Sequence, residues 1–115
     1  MNNGNLIVSL NNEAKESQEG WAGNYILAPN MVNEKKHWLK EGGIGSIWYC
    51  NTGTGFWVIG PQSHIGGSGC TCGLHAPGDS TGPETATGWK YTDGSWHEPS
   101  NDNDILVELG NTTTV

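Results

Sequence analysis

Apolar residues in this chain come in short runs, punctuated by Gly, Pro, Asn and Asp. The run at residues 5–10 (NLIVSL) ends in Asn-Asn and reads as a first strand. Residues 24–28 (NYILA) read as a second strand, stopped by Pro29-Asn30. Residues 31–34 turn the chain, and 36–40 (KHWLK) resume it. Next comes the most aromatic stretch, SIWYCNTGTGFWVIG at 46–60. Its arms, 44–50 and 56–60, flank the glycine-bearing loop NTGTG, the pattern of a hairpin. Alternation puts Ile47 and Tyr49 on one face of the first arm and Trp48 and Cys50 on the other. In the second arm, Phe56 and Val58 share one face and Trp57 and Ile59 the other. Both faces of both arms are apolar, which predicts a central strand pair covered on both sides.

The remaining pattern is weaker. Residues 11–20 are polar and helix-prone but lack an apolar stripe, which predicts a solvated loop or a single helical turn. Residues 61–88 are rich in Gly, Ser, Thr and Pro and read as one long loop with a short strand near 73–74. WKYT (89–92) and SWH (95–97) flank Asp93-Gly94 as a second, shorter hairpin. Residues 99–104 are a turn cluster, and ILVEL (105–109) is the last strand. The pattern predicts an all-β fold, an antiparallel small sandwich or barrel of about seven to eight short strands. It forms one domain over 1–115, with a core spanning 5–110. The aliphatic first and last strands are expected to pair or lie close, which brings the termini together.

Composition sharpens this picture. Hydrophobic residues make up 34% of the 115, with 18 Gly, 6 Trp and 1 Phe, so a small core must rest on a few indoles. The net charge is −7, with 5 basic residues, all lysine, which argues against nucleic acid and anionic membrane surfaces. No signal peptide or membrane-spanning run is present in the chain, and a module cut from a longer secreted protein would be extracellular. Of 3 cysteines, Cys70 and Cys72 are too close to bridge each other comfortably, which leaves Cys50 with Cys70 or Cys72 as the candidate disulfide.

The order of landmarks carries a resemblance. Gly23-Asn24-Tyr25 is followed by VNEKKHW at 32–38, Ile47-Trp48-Tyr49, and WVIGP at 57–61; Trp89, Asp93-Gly94, Trp96 and ILVEL close the series. Over roughly residues 5–110 this resembles a small β-rich module that recurs, often in tandem, in large uncharacterised proteins of marine invertebrates and protists. The chain departs from it by carrying Glu34 where the module usually has glycine. The resemblance implies an adhesive, structural or recognition role, with no catalytic residues to carry over.

Three constellations offer chemistry. His64, Cys70, Cys72 and His75 are borderline and soft ligands suited to zinc or copper, though Cys-x-Cys strains a shared tetrahedron. Asp102 and Asp104, with Asp93, Asn101 and Asn103, offer oxygen ligands to calcium; turn-capping by the same side chains explains the run equally well. Trp21, Trp38, Trp89 and Trp96 fall at strand ends or in short strands, where exposed indole faces would match a sugar; the competing reading makes them ends of the core. Catalysis has little support: there is no Gly-x-Ser-x-Gly, and Glu34, Glu41, Glu84 and Glu98 fall at turns or loop ends. Asn111-Thr112-Thr113 is a glycosylation sequon. These readings together predict a non-enzymatic assembly or adhesion module with no cofactor. Its expected partners are copies of itself or related β modules. A carbohydrate-binding domain is the alternative, with glycans as partners, and a metal-binding protein using the His/Cys loop is a third.

Overall fold

The structure, a computed structural model, describes residues 4–78 and 80–110. The sequon at Asn111 lies outside the described residues. The fold is all-β. The strands are β1 (Leu6–Leu10), β2 (Gly23–Val32), β3 (Lys35–Lys40), β4 (Gly45–Cys50), β5 (Phe56–Pro61), β6 (Leu74–Pro77), β7 (Lys90–Thr92), β8 (Trp96–His97) and β9 (Ile105–Leu109). They form one antiparallel sheet of nine strands in the order β8-β7-β6-β5-β4-β3-β2-β1-β9, curled into a half-barrel. Against the expected sandwich or barrel of seven to eight strands, there are nine strands in a single curved sheet, whose inner face closes on itself rather than on a second layer.

The central hairpin falls where alternation places it. Cys50 pairs with Phe56, Tyr49 with Trp57, Trp48 with Val58 and Ile47 with Ile59, leaving residues 51–55 as the loop. Gly53 and Gly55 both take positive φ there, at 63° and 89°. β4 and β5 lie mid-sheet and are covered on both faces. The inner core joins Leu6, Val8, Tyr25, Trp38, Ile47, Trp57, Ile59, Leu74, Trp89, Ile105 and Val107. Trp57 is its centre, meeting Trp38 at 6.2 Å and Tyr49 at 5.4 Å in edge-on contacts. The outer face of the hairpin buries Trp48, Cys50 and Val58 under Val32, Phe56, Ile65, Cys70 and Cys72.

The expected pairing of first and last strands is present: β1 and β9 align from Leu6 opposite Leu109 to Leu10 opposite Ile105. Two expectations are corrected. Residues 12–18 form a helix, α1 (Asn12–Gln18), with Ala14 fully buried. One alanine makes no stripe in sequence, so the docking is invisible there; it rests on polar ties at the helix end. Gln18 Nε2 donates to Thr92 O at 2.6 Å, Trp21 Nε1 donates to Gln18 Oε1 at 2.7 Å, and Tyr25 OH donates to Trp21 O at 2.6 Å. Burial pushes the Tyr25 phenol well above its ordinary range. The second correction is β2, which runs through Pro29-Asn30 to Val32, its register with β3 shifting between Leu27 and Met31. An irregularity admits proline without a ladder bond. Val32 then pairs with Lys35 across a two-residue turn, Asn33-Glu34, both at positive φ (53° and 69°). Glu34 thus occupies a conformation that glycine takes without strain.

Within 61–88, the chain makes one short helical turn (Gln62–His64), then β6, then another turn (Pro83–Thr85). The first part, 62–73, is a lid on the outer face of the hairpin. A Cys50–Cys70 disulfide staples it, resolving the two candidate pairings and leaving Cys72 as the free thiol. Gln62 N–H to Ile44 O and Gly73 N–H to Ile59 O, both 2.9 Å, fix its ends.

Candidate functional site

β9 is an outermost strand, and its hydrogen-bonding pattern decides what it offers. The Asn11 N–H donates to Asp104 O at 2.9 Å, and the Gly110 N–H donates to Asn5 O at 2.6 Å. In an antiparallel ladder, bonded residues alternate, so positions 104, 106, 108 and 110 turn their backbone groups to β1. The N–H and C=O groups of Ile105, Val107 and Leu109 point the other way, and among the described residues no hydrogen bond takes them up. The free edge borders a half-open groove of about 870 Å³.

Its floor is apolar, built from Pro77, Ala86, Trp89, Ile105 and Val107. Its rim carries four carboxylates, Glu84, Glu98, Asp102 and Glu108, against one lysine, Lys90. The turn Pro83–Thr85 packs against β9 and forms one wall. The Glu84 side chain folds back over Gly82, where an added Cβ would meet Glu84 Oε1 at 2.5 Å. That Oε1 is shielded from solvent and has no hydrogen-bond donor among the described residues. A carboxylate oxygen in that state favours an incoming N–H or ammonium group.

The turn before β9 sets the strand in place. Asp104 is buried; its carboxylate accepts from Asn12 Nδ2 at 2.7 Å and from the Asn101 N–H at 3.3 Å. Asn11 Nδ2 donates to Asn103 O at 2.8 Å. The acidic run thus caps a turn and ties it to α1, while Asp102 stays exposed at the groove rim. Asp93 lies elsewhere, hydrogen-bonded to His97 at 2.8 Å in the β7–β8 turn, and that bond holds its carboxyl below the usual range.

The other sequence candidates separate. Cys70 is committed to the disulfide, and His64 is exposed at the start of the lid. Burial pushes the Cys72 thiol up to about 12, against a lowering backbone hydrogen bond, so it is a poor thiolate. His75 meets Trp96 edge-on at 4.0 Å and Phe56 at a tilt at 5.1 Å; burial and then Lys90 lower its pKa. Among the described residues no three His, Cys, Asp or Glu side chains are grouped to hold a metal ion. Trp38 and Trp89 are buried and Trp21 is half-buried, as the core-end reading has them rather than the platform reading. Trp96 alone of the four is exposed, at 45%.

Sequence reasoning missed the groove because its parts come from scattered segments. Glu84 and Glu98 read singly as solvated turn residues, and nothing local joins them to β9. The available signal was the pairing of the first and last strands, which leaves one flank of ILVEL open. No protein-family model, no curated protein and no solved structure matches the chain. No helix among the described residues is long and apolar enough to cross a membrane.

Proposed function

We propose that this protein is a non-enzymatic assembly or adhesion module that works by protein–protein contact, with the free edge of β9 as its contact surface. The observation that carries the reading is the outward row of unbonded backbone groups at Ile105, Val107 and Leu109 beside an apolar-floored groove. An extended segment added there would continue the sheet as a tenth strand, taking main-chain hydrogen bonds from β9 and seating alternate side chains on the floor. The burial of Trp38 and Trp89 favours this over a sugar platform, which needs a flat row of exposed indoles. The resemblance to a tandem module of large proteins points the same way.

The test uses an edge-blocked variant. Leu109 is exposed and sits at a position that makes no ladder bond to β1, so Leu109→Pro removes an outward N–H and leaves the sheet intact. Self-association is measured by sedimentation, and binding of extended peptides of acidic, neutral and basic composition by titration. Association by wild type that Leu109→Pro loses, with an unchanged circular dichroism spectrum, supports the reading. Association that survives the block, or none with any partner, overturns it.

A further inference from the structure

Resting on that reading, we infer that the occupant of the β9 groove is an extended segment bearing lysine or arginine at alternate positions, supplied by a partner other than a second copy of this chain. Charge complementarity supports this. The rim holds four carboxylates and one lysine, a local excess of three negative charges (4 − 1) in a chain whose whole net charge is −7. Field lines in a cleft walled by protein are focused, so a cationic strand is drawn in and an anionic one repelled.

Glu84 points the same way. Its shielded Oε1 has no donor among the described residues. Apolar or acidic side chains would leave that oxygen under-satisfied; an ammonium or guanidinium group reaching over the wall would complete it with a charge-assisted bond.

A second copy of the chain does not fit the groove. An isologous β9–β9 pair would bring two acidic rims together, and like charges across a strand pair are destabilising. Three of the chain's five lysines, Lys35, Lys36 and Lys40, stand on β3, which is interior to the sheet. The other outermost strand, β8, is two residues long and carries His97 paired with Asp93. This protein has no basic edge of its own to offer. Side-chain alternation fits the same picture: apolar residues facing the Trp89 and Val107 floor turn every second residue to the other side, where Glu108 alternates with Val107.

The test titrates three soluble peptides of about ten residues, the length of a long strand, alternating Val with Lys, Val with Ser, or Val with Glu. The Lys peptide is expected to bind about tenfold tighter than the Ser peptide at low salt, as three modest surface ion pairs would give. That advantage should vanish in about 1 M salt, where the screening length is about 3 Å. Binding should slow amide exchange at Ile105 and Val107, and Leu109→Pro should abolish it. Glu98→Gln with Glu108→Gln, both at exposed positions, should remove most of the Lys preference over Ser; Glu84→Gln should reduce it at the wall. Equal, edge-dependent binding of Lys and Ser peptides, or tighter binding of the Glu peptide, overturns the charge inference and leaves the edge reading standing. Lys-peptide binding that Leu109→Pro does not weaken overturns it as surface attraction. Self-association that Leu109→Pro abolishes overturns the foreign-partner inference and leaves the edge reading standing; failure of all three peptides with no self-association overturns both.

Discussion

Trp57 and Trp48 belong to one hairpin, point to opposite faces of it, and are both fully buried. What buries them differs. Trp57 lies in a core cluster drawn from strands along most of the sheet and meets Trp38 and Tyr49 edge-on. Trp48 has no second layer of regular structure over it. It is covered by a glycine-rich lid that has few apolar groups of its own and is held by a disulfide and end-tethering hydrogen bonds. The inner face is held by burial spread over many residues; the outer face depends on one covalent tie and a close backbone approach. A glycine-rich segment has high conformational freedom when unfolded, so a cross-link that restricts the unfolded chain contributes more there than added contact would.

Breaking each face separately tests this contrast. Trp57→Ala should cost about 3–5 kcal/mol in denaturant unfolding, because the curved core cannot collapse onto the cavity. Removing the staple with Cys50→Ala and Cys70→Ala, which closes a loop with sequence separation 20, should cost about 3 kcal/mol. The loss should be local first: amide exchange at Gly73, which bonds Ile59 across the lid's end, should quicken before exchange at Tyr25. Equal acceleration on both faces would erase the distinction. Gly60→Ala comes next, at about 1–3 kcal/mol, since its Cβ would meet Cys72 Cα at 2.6 Å and Thr71 O at 2.8 Å, lifting the lid from β5. A neutral result would mean that the lid is free to shift.

The smallest effect is one of pH, and it has opposite signs on the two faces. His75 on the outer face is held below its ordinary 6.5, so its contribution is present above that value and is lost as pH falls below it. Tyr25 on the inner face is held above its ordinary 10.0, so its contribution is present below that value and is lost as pH rises past it. His75→Gln should flatten the acid limb of a stability–pH curve and leave the alkaline limb unchanged. An unchanged acid limb would remove His75 from the account.

The same contrast governs what is legible in the sequence. The central hairpin is readable because apolar side chains fill both phases of a period-two pattern, and its five-residue loop is glycine-marked. The β1–β9 pair is readable from two matched aliphatic runs. Helix α1 is not, because its one buried side chain, Ala14, carries no periodicity and the rest of its attachment is made by polar groups. The passage of β2 through Pro29 is hidden because a register irregularity is a property of two strands at once. Cys50 is visible as half of a disulfide, but the choice of Cys70 over Cys72 depends on the path of the lid. The candidate groove is the least legible part, since Pro77, Glu84 and Trp89, from distant segments, come beside β9 only in the folded sheet.

The strand order has a consequence for synthesis. From β1 to β8 each strand pairs with the one made just before it, so the sheet can grow as the chain leaves the ribosome. β9 breaks the rule and returns to β1, about a hundred residues upstream. Throughout translation the flank of LIVSL, an uncharged aliphatic strand, stands open, and it is sealed only when ILVEL emerges. Polypeptides truncated before Ile105 should therefore be the aggregating species in an expressing cell, and the final strand acts as the nascent sheet's own gatekeeper.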